Sequence, residues 1–285
     1  MSHTRSPRAL SVAAAAAAAL TLSSCGLAGG DDESTIPEAE DGITTLTVGA
    51  SPAPHAAILE FVDQNLAEEA GLDLEIEEFE DYQIPNEALN DGDLHANYFQ
   101  HQPWFDNEVE ENGYELVHFE DVHIEPFALY SSQLDDAEDL PDGAIIALNN
   151  DPSNQARGLV LLQEAGLISL AEGADAESAT FNDVEDNPQD FEFVEADASA
   201  LTRTLDDVDA AVINGNYAME AGLTPAEDGL LVESPQENPY ANFLAARSVD
   251  EEHEAIQTLD ELLHSDEVRE YIEDTWQDEE VLPAF

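Results

Sequence analysis

The charge imbalance constrains this chain before anything else does. Sixty-six carboxylates stand against six basic side chains, a formal net charge of -60 at pH 7. The six are Arg5, Arg8, Arg157, Arg203, Arg247 and Arg269, and there is no lysine. Any compact state must carry that charge against its own repulsion. The same field excludes nucleic acid, heparin-like polyanions and anionic lipid surfaces as partners of the body. High net charge often means disorder, but here 43% of residues are hydrophobic, with 11 Phe, 7 Tyr and 2 Trp to build a core. The acids are scattered, as in EEFEDY, EVEENGYE and EEHEAIQTLDE, and interleaved with apolar residues at core spacing. Adaptation to high salt, a halophilic acidic protein, is the expected cause. At molar ionic strength the Debye length shrinks to about 3 Å and the repulsion is screened. Lysine's long apolar stem is a liability where salt already strengthens hydrophobic association. A calcium-binding acidic protein is the rival reading, and no D-x-D/N-x-D/N-G-x5-E loop is present to support it. With one cysteine, Cys25, no intrachain disulfide can form.

The N-terminus reads as an address. Residues 1–8 carry Arg5 and Arg8 and no acid, and residues 9–22 are an uncharged, Ala-rich apolar run. That run is shorter than the ~20 residues a spanning helix needs and suits a secretory signal peptide. Leu22-Ser23-Ser24-Cys25 then resembles a bacterial lipobox. The resemblance implies removal of a signal peptide over 1–24 and diacylglyceryl transfer to Cys25. Arg5 and Arg8 are not adjacent, so the general secretory route is expected rather than the twin-arginine one. Residues 25–42 are Gly-, acid- and Pro-rich without periodicity, a lipidated flexible tether. Two acyl chains hold a protein stably where one is marginal. The expected location is the cell membrane, lipid-anchored at its extracytoplasmic face.

From Thr44 the pattern is α/β. Strands are expected at 44–50, 73–79, 94–99, 115–119 and 122–130, with helices at about 54–69, 85–89 and 104–111. In the first helix Ile58, Val62 and Leu66 share one face. A second set follows, with strands at 144–148, 191–196, 209–214, 230–234 and 241–247. Its helices are expected at 153–165, 199–205, 251–264 and 266–275. Strand–helix alternation predicts doubly wound parallel sheets with ligands beyond the strands' carboxyl ends. Two sets give two lobes and a cleft between them.

No enzyme signature is present, neither a Walker A loop, a G-x-G-x-x-G turn, a G-x-S-x-G elbow nor an H-E-x-x-H helix. An enzyme is therefore not expected, and no cofactor is implied. His95, His101, His118 and His123 are possible metal ligands, but strand spacing alone does not converge them, so no metal is assigned. Two places stand out. Arg157 lies in NNDPSNQARGL, where Asp151-Pro152-Ser153 reads as the cap and first turn of a helix. Free N–H groups there and Arg157 one turn in would receive an anion such as a carboxylate. The plainer alternative pairs Arg157 with one of the many acids. The other place is NYFQHQPWF, residues 97–105, whose crowded aromatics are either core packing or a polarizable cage for an apolar or thioether side chain.

Several segments in order carry a resemblance. SPAPHAAILEF, DYQIPNEALNDGDLHANYFQHQPWFDN, NDPSNQARGLVLLQEAGLI, LDDVDAAVINGNYAMEAGL and NPYANFLAAR closely resemble the methionine-binding lipoproteins of the NlpA type, solute-binding components of ABC importers. The resemblance implies a two-lobed periplasmic-binding-protein fold, type II-like, with each lobe a sheet flanked by helices and the ligand in the cleft. Lobe 1 is then 43–123 plus 240–285, and lobe 2 is 124–239. It implies that Tyr82, Phe99, His101 and Trp104 surround a methionine side chain, with Trp104 where the family commonly has tyrosine. Arg157 would hold the ligand carboxylate. Asn154, Asn214 and Asn242 would satisfy its remaining polar atoms, and whether Asn216 helps Asn214 stays open. The implied partners are L-methionine or a related amino acid and an importer's permease and ATPase, with the binding protein a monomer. Another amino acid, a dipeptide, or a lipid-anchored enzyme or adhesin on the same fold are the alternatives.

The charge generates a prediction. Diluting salt to about 0.01 M lengthens the Debye length to about 30 Å, so each surface carboxylate feels many others. The melting temperature should climb steeply between about 0.1 M and about 3 M potassium chloride; a flat profile contradicts the salt-adapted reading.

Overall fold

A computed structural model describes residues 33–236 and 238–285; the leader, Cys25 and the start of the tether lie outside the described residues. The chain enters the body earlier than the tether reading expects. Ile36 is buried in the core, and Thr35 Oγ1 accepts a hydrogen bond from Arg247 Nη2 at 2.9 Å. An apolar residue and a hydroxyl with a buried partner pin a stretch whose composition alone looks unstructured.

The first lobe builds along the chain as β1 (Thr44–Ala50), α1 (Ala57–Val62), β2 (Leu72–Glu78), α2 (Ile84–Asp91), β3 (Ala96–His101), α3 (Gln102–Asn112) and β4 (Leu116–Ile124). Helix α1 is the centre of a longer helical run over 54–70, Ala53 before it being extended. It buries Ile58 and Val62, as the spacing predicts, while Leu66 is only half-buried. The second lobe follows with β5 (Ala128–Tyr130), β6 (Ile145–Asn149), α4 (Pro152–Glu164), β7 (Ser169–Leu170), β8 (Val184–Asp186), β9 (Glu192–Ala196), α5 (Leu201–Thr204), β10 (Ala210–Ile213), α6 (Gly215–Glu220), α7 (Pro225–Asp228) and β11 (Gly229–Val232). The chain then returns to the first sheet with β12 (Asn242–Arg247), α8 (Glu254–Leu263), α9 (Asp266–Thr275) and β13 (Leu282–Pro283).

The larger sheet has the order β13-β4-β12-β3-β1-β2 and the smaller β11-β5-β10-β6-β9. Neither is purely parallel, contrary to the expectation. β1 runs parallel to β2 and β3, and β6 parallel to β9 and β10, but β12 is antiparallel to β3 and β4, and β5 to β10 and β11. Parallel neighbours need a crossover, commonly a helix. β5 and β12 arrive directly from the other sheet with no helix between, and both pair antiparallel. The expected strand over 122–130 is divided for a related reason. Pro126 has no N–H to give a ladder, so β4 stops at Ile124 and the chain crosses to the second sheet through Glu125, Pro126 and Phe127.

Packing follows the amphipathic pattern. α8 buries Ala255, Ile256, Leu259 and Leu263, and α9 buries Val268 and Ile272, all against the larger sheet. Leu159 and Leu162 of α4 pack on Ile146 and Leu148 of β6 in the second core. No described helix is long and apolar enough to cross a membrane.

Candidate functional site

Strand ends and helix starts meet between the two sheets, and each is shaped locally. β3 carries a bulge opposite β12, where Phe243 pairs with Gln100 but Leu244 pairs with Tyr98, leaving Phe99 as the extra residue. A bulge breaks strict alternation and re-aims side chains. Here it lets Gln100 Nε2 reach Asn97 Oδ1, three residues away, at 3.0 Å. Asn86 of α2 closes that buried amide cluster, its Nδ2 donating to Gln100 Oε1 at 2.8 Å and its Oδ1 accepting from Asn97 Nδ2 at 2.9 Å. The cluster fixes β3 against α2, and with it Phe99 and His101 at the strand's end.

Opposite, α4 begins as its sequence requires. Asp151 caps it, accepting from the Asn154 N–H at 2.8 Å, and Pro152 occupies the first turn. Asn154 and Arg157 therefore project from the first turns toward the cleft. Arg157 does form an ion pair, though with a distant acid rather than a local one: Nη2 meets Glu233 Oε2 at 2.5 Å and Nε meets Oε1 at 2.9 Å, across 76 residues. Nη2 also donates to the Glu125 carbonyl at 3.1 Å. The guanidinium lies between the rings of Phe127 and Tyr240, 4.6 and 4.4 Å from their centroids. Nη1 makes no hydrogen bond to the described residues, so one edge of the guanidinium is left for a ligand.

All eight residues singled out in the sequence line one cavity of about 370 Å³, its mouth included: Tyr82, Phe99, His101, Trp104, Asn154, Arg157, Asn214 and Asn242. Asn216 lines it as well, held by Tyr82, whose hydroxyl donates to Asn216 Oδ1 at 2.5 Å. Tyr82 packs edge-on to Trp104 and tilted to Phe99, so the crowded aromatics are a cavity wall as well as packing. The Trp104 indole N–H is buried without a partner among the described residues.

The amides form a chain rather than standing free. Asn149 Nδ2 donates to Asn214 Oδ1, and Asn214 Nδ2 to Asn154 Oδ1, each at 2.9 Å. Asn154 Nδ2 donates to Asp151 Oδ1 at 3.0 Å. His101 joins them: its Nδ1 accepts from the Trp104 N–H, so its Nε2 carries the proton and donates to Asn154 Oδ1, both at 3.2 Å. Burial, then the Arg157 charge, pushes the His101 pKa down to about 3, so the ring is neutral at pH 7.

Four residues of the cavity were missed in the sequence, His55, Gln100, Glu125 and Gly215. With His123, His55 and Glu125 converge, their donor atoms within 4.8 Å of one another. His123 Nε2 donates to Glu125 Oε1 at 3.0 Å, and the Tyr98 hydroxyl donates to His123 Nδ1. His55 Nε2 lies 3.0 Å from Asn242 Oδ1 and 3.4 Å from Glu125 Oε1. Burial lowers the His55 pKa to about 4 and that of His123 to about 3. His95 and His118 do not join this group. No local spacing could have found it, since His55 lies in the first turn of the first lobe's helical run, His123 near the end of β4 and Glu125 in the crossover beyond it.

The site defines a class: a two-lobed solute-binding protein of the periplasmic type, whose cleft offers a cation edge, amides and an aromatic wall. The chain belongs to the NlpA lipoprotein family, which it matches over residues 46–285. It is 40% identical over 249 residues to the methionine-binding lipoprotein MetQ of Bacillus subtilis, covering 86% of this chain and 90% of that one. It is 39% identical over 227 residues to the D-methionine-binding lipoprotein MetQ of Escherichia coli, covering 79% and 83%. Among solved structures it resembles a nutrient-binding protein of Burkholderia cenocepacia bound to methionine, with a TM-score of 0.81, 40% identity and coverage of 84% and 100%.

The three neutral histidines set a pH dependence. Their pKa values are about 3 to 4 when folded against 6.5 ordinarily, so the unfolded chain takes up protons first as pH falls. Stability from them is complete above pH ~6.5 and is lost toward pH ~4. Surface carboxylates act oppositely, by relief of repulsion, and Glu125 does too because burial raises its pKa. The ordinary carboxylate range, though, lies below pH ~5. Urea unfolding should therefore show stability falling between about pH 6.5 and about pH 5, and His123→Gln should flatten that slope by up to about 1.4 kcal/mol per pH unit. A slope unchanged in the variant contradicts the assignment.

Proposed function

We propose that this protein captures L-methionine, or a close relative, at the extracytoplasmic face of the membrane and delivers it to an ABC importer. The observation that carries this reading is the single cavity lined by all eight singled-out residues, with Arg157 at one end and the aromatic wall of Tyr82, Phe99 and Trp104 at the other. An amino-acid zwitterion taken out of water must be paired or it costs several kcal/mol. The free edge of Arg157 supplies the partner of the carboxylate, with the outer N–H groups of Asn154, Asn214 and Asn242 beside it. The aromatic wall receives an apolar, polarizable chain such as a thioether. The names of the relatives, methionine-binding and D-methionine-binding lipoproteins, agree with that chemistry. None of the cavity's groups is arranged as a nucleophile with its base, so the site suits binding rather than catalysis.

In this reading the lobes close over the ligand by hinge motion at the two crossovers. Tyr82 to Asn216 and His101 to Asn154 are bonds of the closed state, each joining one lobe to the other. The protein works as a monomer tethered by a lipidated Cys25, with a surface suited to concentrated salt.

Two measurements test this. Arg157→Ala should weaken methionine binding by calorimetry by at least two to three decades, about 3–5 kcal/mol. Because the change also strands Glu233, an Arg157→Met, Glu233→Gln pair should restore the melting temperature but not the binding; near-normal affinity in either contradicts the site. Cys25→Ser should release the protein from membranes into the aqueous fraction, and a variant still tightly membrane-bound contradicts the anchor.

A further inference from the structure

Three buried side chains meet beside the cavity with the spacing of a coordination shell. His55 comes from the first helical run, His123 from β4 and Glu125 from the crossover. His123 Nε2 and His55 Nε2 stand 3.0 and 3.4 Å from Glu125 Oε1, and the three donor atoms lie within 4.8 Å of one another. Two ligands ~2.1 Å from a tetrahedral zinc ion stand ~3.4 Å apart. Small side-chain shifts therefore bring all three donors onto one ion.

Hydrogen bonding alone leaves the cluster unfinished. With its proton on Nε2, His55 keeps a buried Nδ1 electron pair that has no partner among the described residues. With the proton on Nδ1, on the side of the Ala53 backbone, the Nε2 pair faces two oxygens, Asn242 Oδ1 at 3.0 Å and Glu125 Oε1 at 3.4 Å. Electron-rich atoms converging away from water call for a cation. Arg157 does not bring it, since it pairs with Glu233 and donates to the Glu125 backbone carbonyl rather than to the carboxylate. A metal ion at Nε2 requires the second tautomer and answers its electron pair.

The surroundings are those of a ligand set. A metal-bound imidazole needs its other nitrogen held, and His123 Nδ1 is bonded to the hydroxyl of the buried Tyr98. A hydroxyl donates or accepts, so Tyr98 serves His123 with or without the ion. Imidazoles ligate in their neutral form, and burial keeps both rings neutral at pH 7. Gly215 hems the carboxylate in, because a Cβ there would fall 2.8 Å from Glu125 Oε2. Two imidazoles and one carboxylate suit zinc and its first-row neighbours, whereas magnesium and calcium take oxygen ligands. Three protein ligands leave a fourth position, and His55 and Glu125 both line the cavity, so that position opens into it.

We propose that His55, His123 and Glu125 form a site for a single divalent ion of the zinc class, with Tyr98 as a positioning residue and one coordination position open to the cavity. The site does not rest on the methionine reading, and the two are tested apart.

The experiment uses the full chain stripped with a chelator, the state to which the pH dependence above refers. It is run in about 2 M potassium chloride, where the many surface acids are screened. Calorimetry with zinc should show saturable one-to-one uptake. Glu125→Gln and His123→Gln should each weaken it by at least about 100-fold, and Tyr98→Phe by about 10-fold. His118→Gln, outside the cluster, should leave it unchanged. Cobalt(II) in place of zinc should give the intense visible absorption of a four-coordinate ion, and azide, a small donor that enters the cavity, should shift it. This spectrum is read on the wild type and stands whatever the variants' folding. No saturable zinc uptake by the wild type overturns the proposal, as does uptake that the Glu125 and His123 variants retain. A weak six-coordinate cobalt spectrum, the signature of surface carboxylates and water, overturns it too, and a spectrum that azide leaves unmoved overturns the open position. Calorimetry with methionine on the same stripped protein separates the readings: methionine binding without zinc uptake overturns this site alone, and zinc uptake without methionine binding overturns the methionine reading alone.

Discussion

The structure turns on one buried guanidinium. Arg157 projects from α4 to where the chain crosses between the sheets, and it touches both crossings. From the first it takes the Glu125 carbonyl and the Phe127 ring; from the return it takes the Glu233 carboxylate and the Tyr240 ring. A buried cation with incomplete partners costs several kcal/mol, so these contacts are needed together. The consequence is geometric. With Nε and Nη2 committed to protein, the guanidinium cannot rotate, and its remaining edge points into the cleft. A planar donor set held this way meets a carboxylate without first losing side-chain freedom.

The acid load of the molecule scarcely enters its interior. Among the described residues, only Glu125 and Asp250 are carboxylates in the buried class. Asp250 is matched by Arg247 at 2.7 Å, and Glu125 lies against the imidazoles of His55 and His123. The cores are those of an ordinary α/β protein, built of Leu, Ile, Val, Ala and Phe. Apart from Arg157 and Glu125, the polar lining of the cleft is made from amides and imidazoles. Screening by salt therefore acts on the exterior, while the cleft depends on local hydrogen bonds that screening reaches weakly.

Scarcity makes each cation of the body informative. Arg247 ties Asp250 and Thr35, and Arg269 stacks on Phe285 and donates to its carbonyl. Arg203 is exposed. Only Arg157 stands in the cleft, so its place in NDPSNQAR could be singled out from composition alone. What composition could not decide was its partner, because the nearby acids and the distant Glu233 look alike in one dimension.

Much of the fold was legible because its signals are local. Buried runs such as 44–50 and 144–148, the Asp151-Pro152 helix start and the amphipathic closing helices each need only their own residues to be recognised. The lining of the cleft was legible through the resemblance of short motifs whose spacing survives in the chain. The antiparallel entry of β5 and β12, the division of the expected 122–130 strand at Pro126 and the docking of Ile36 were not, since each depends on a segment distant in sequence. The floor of the site is the clearest case. His55 and Asn242 meet across 187 residues, and Glu125 joins them from a crossover between the sheets. Periodicity reports which face of an element is buried, but not which faces of different elements meet. That is decided by the path of the chain between the two sheets, and it alone brought a carboxylate, two imidazoles and a tyrosine to one point.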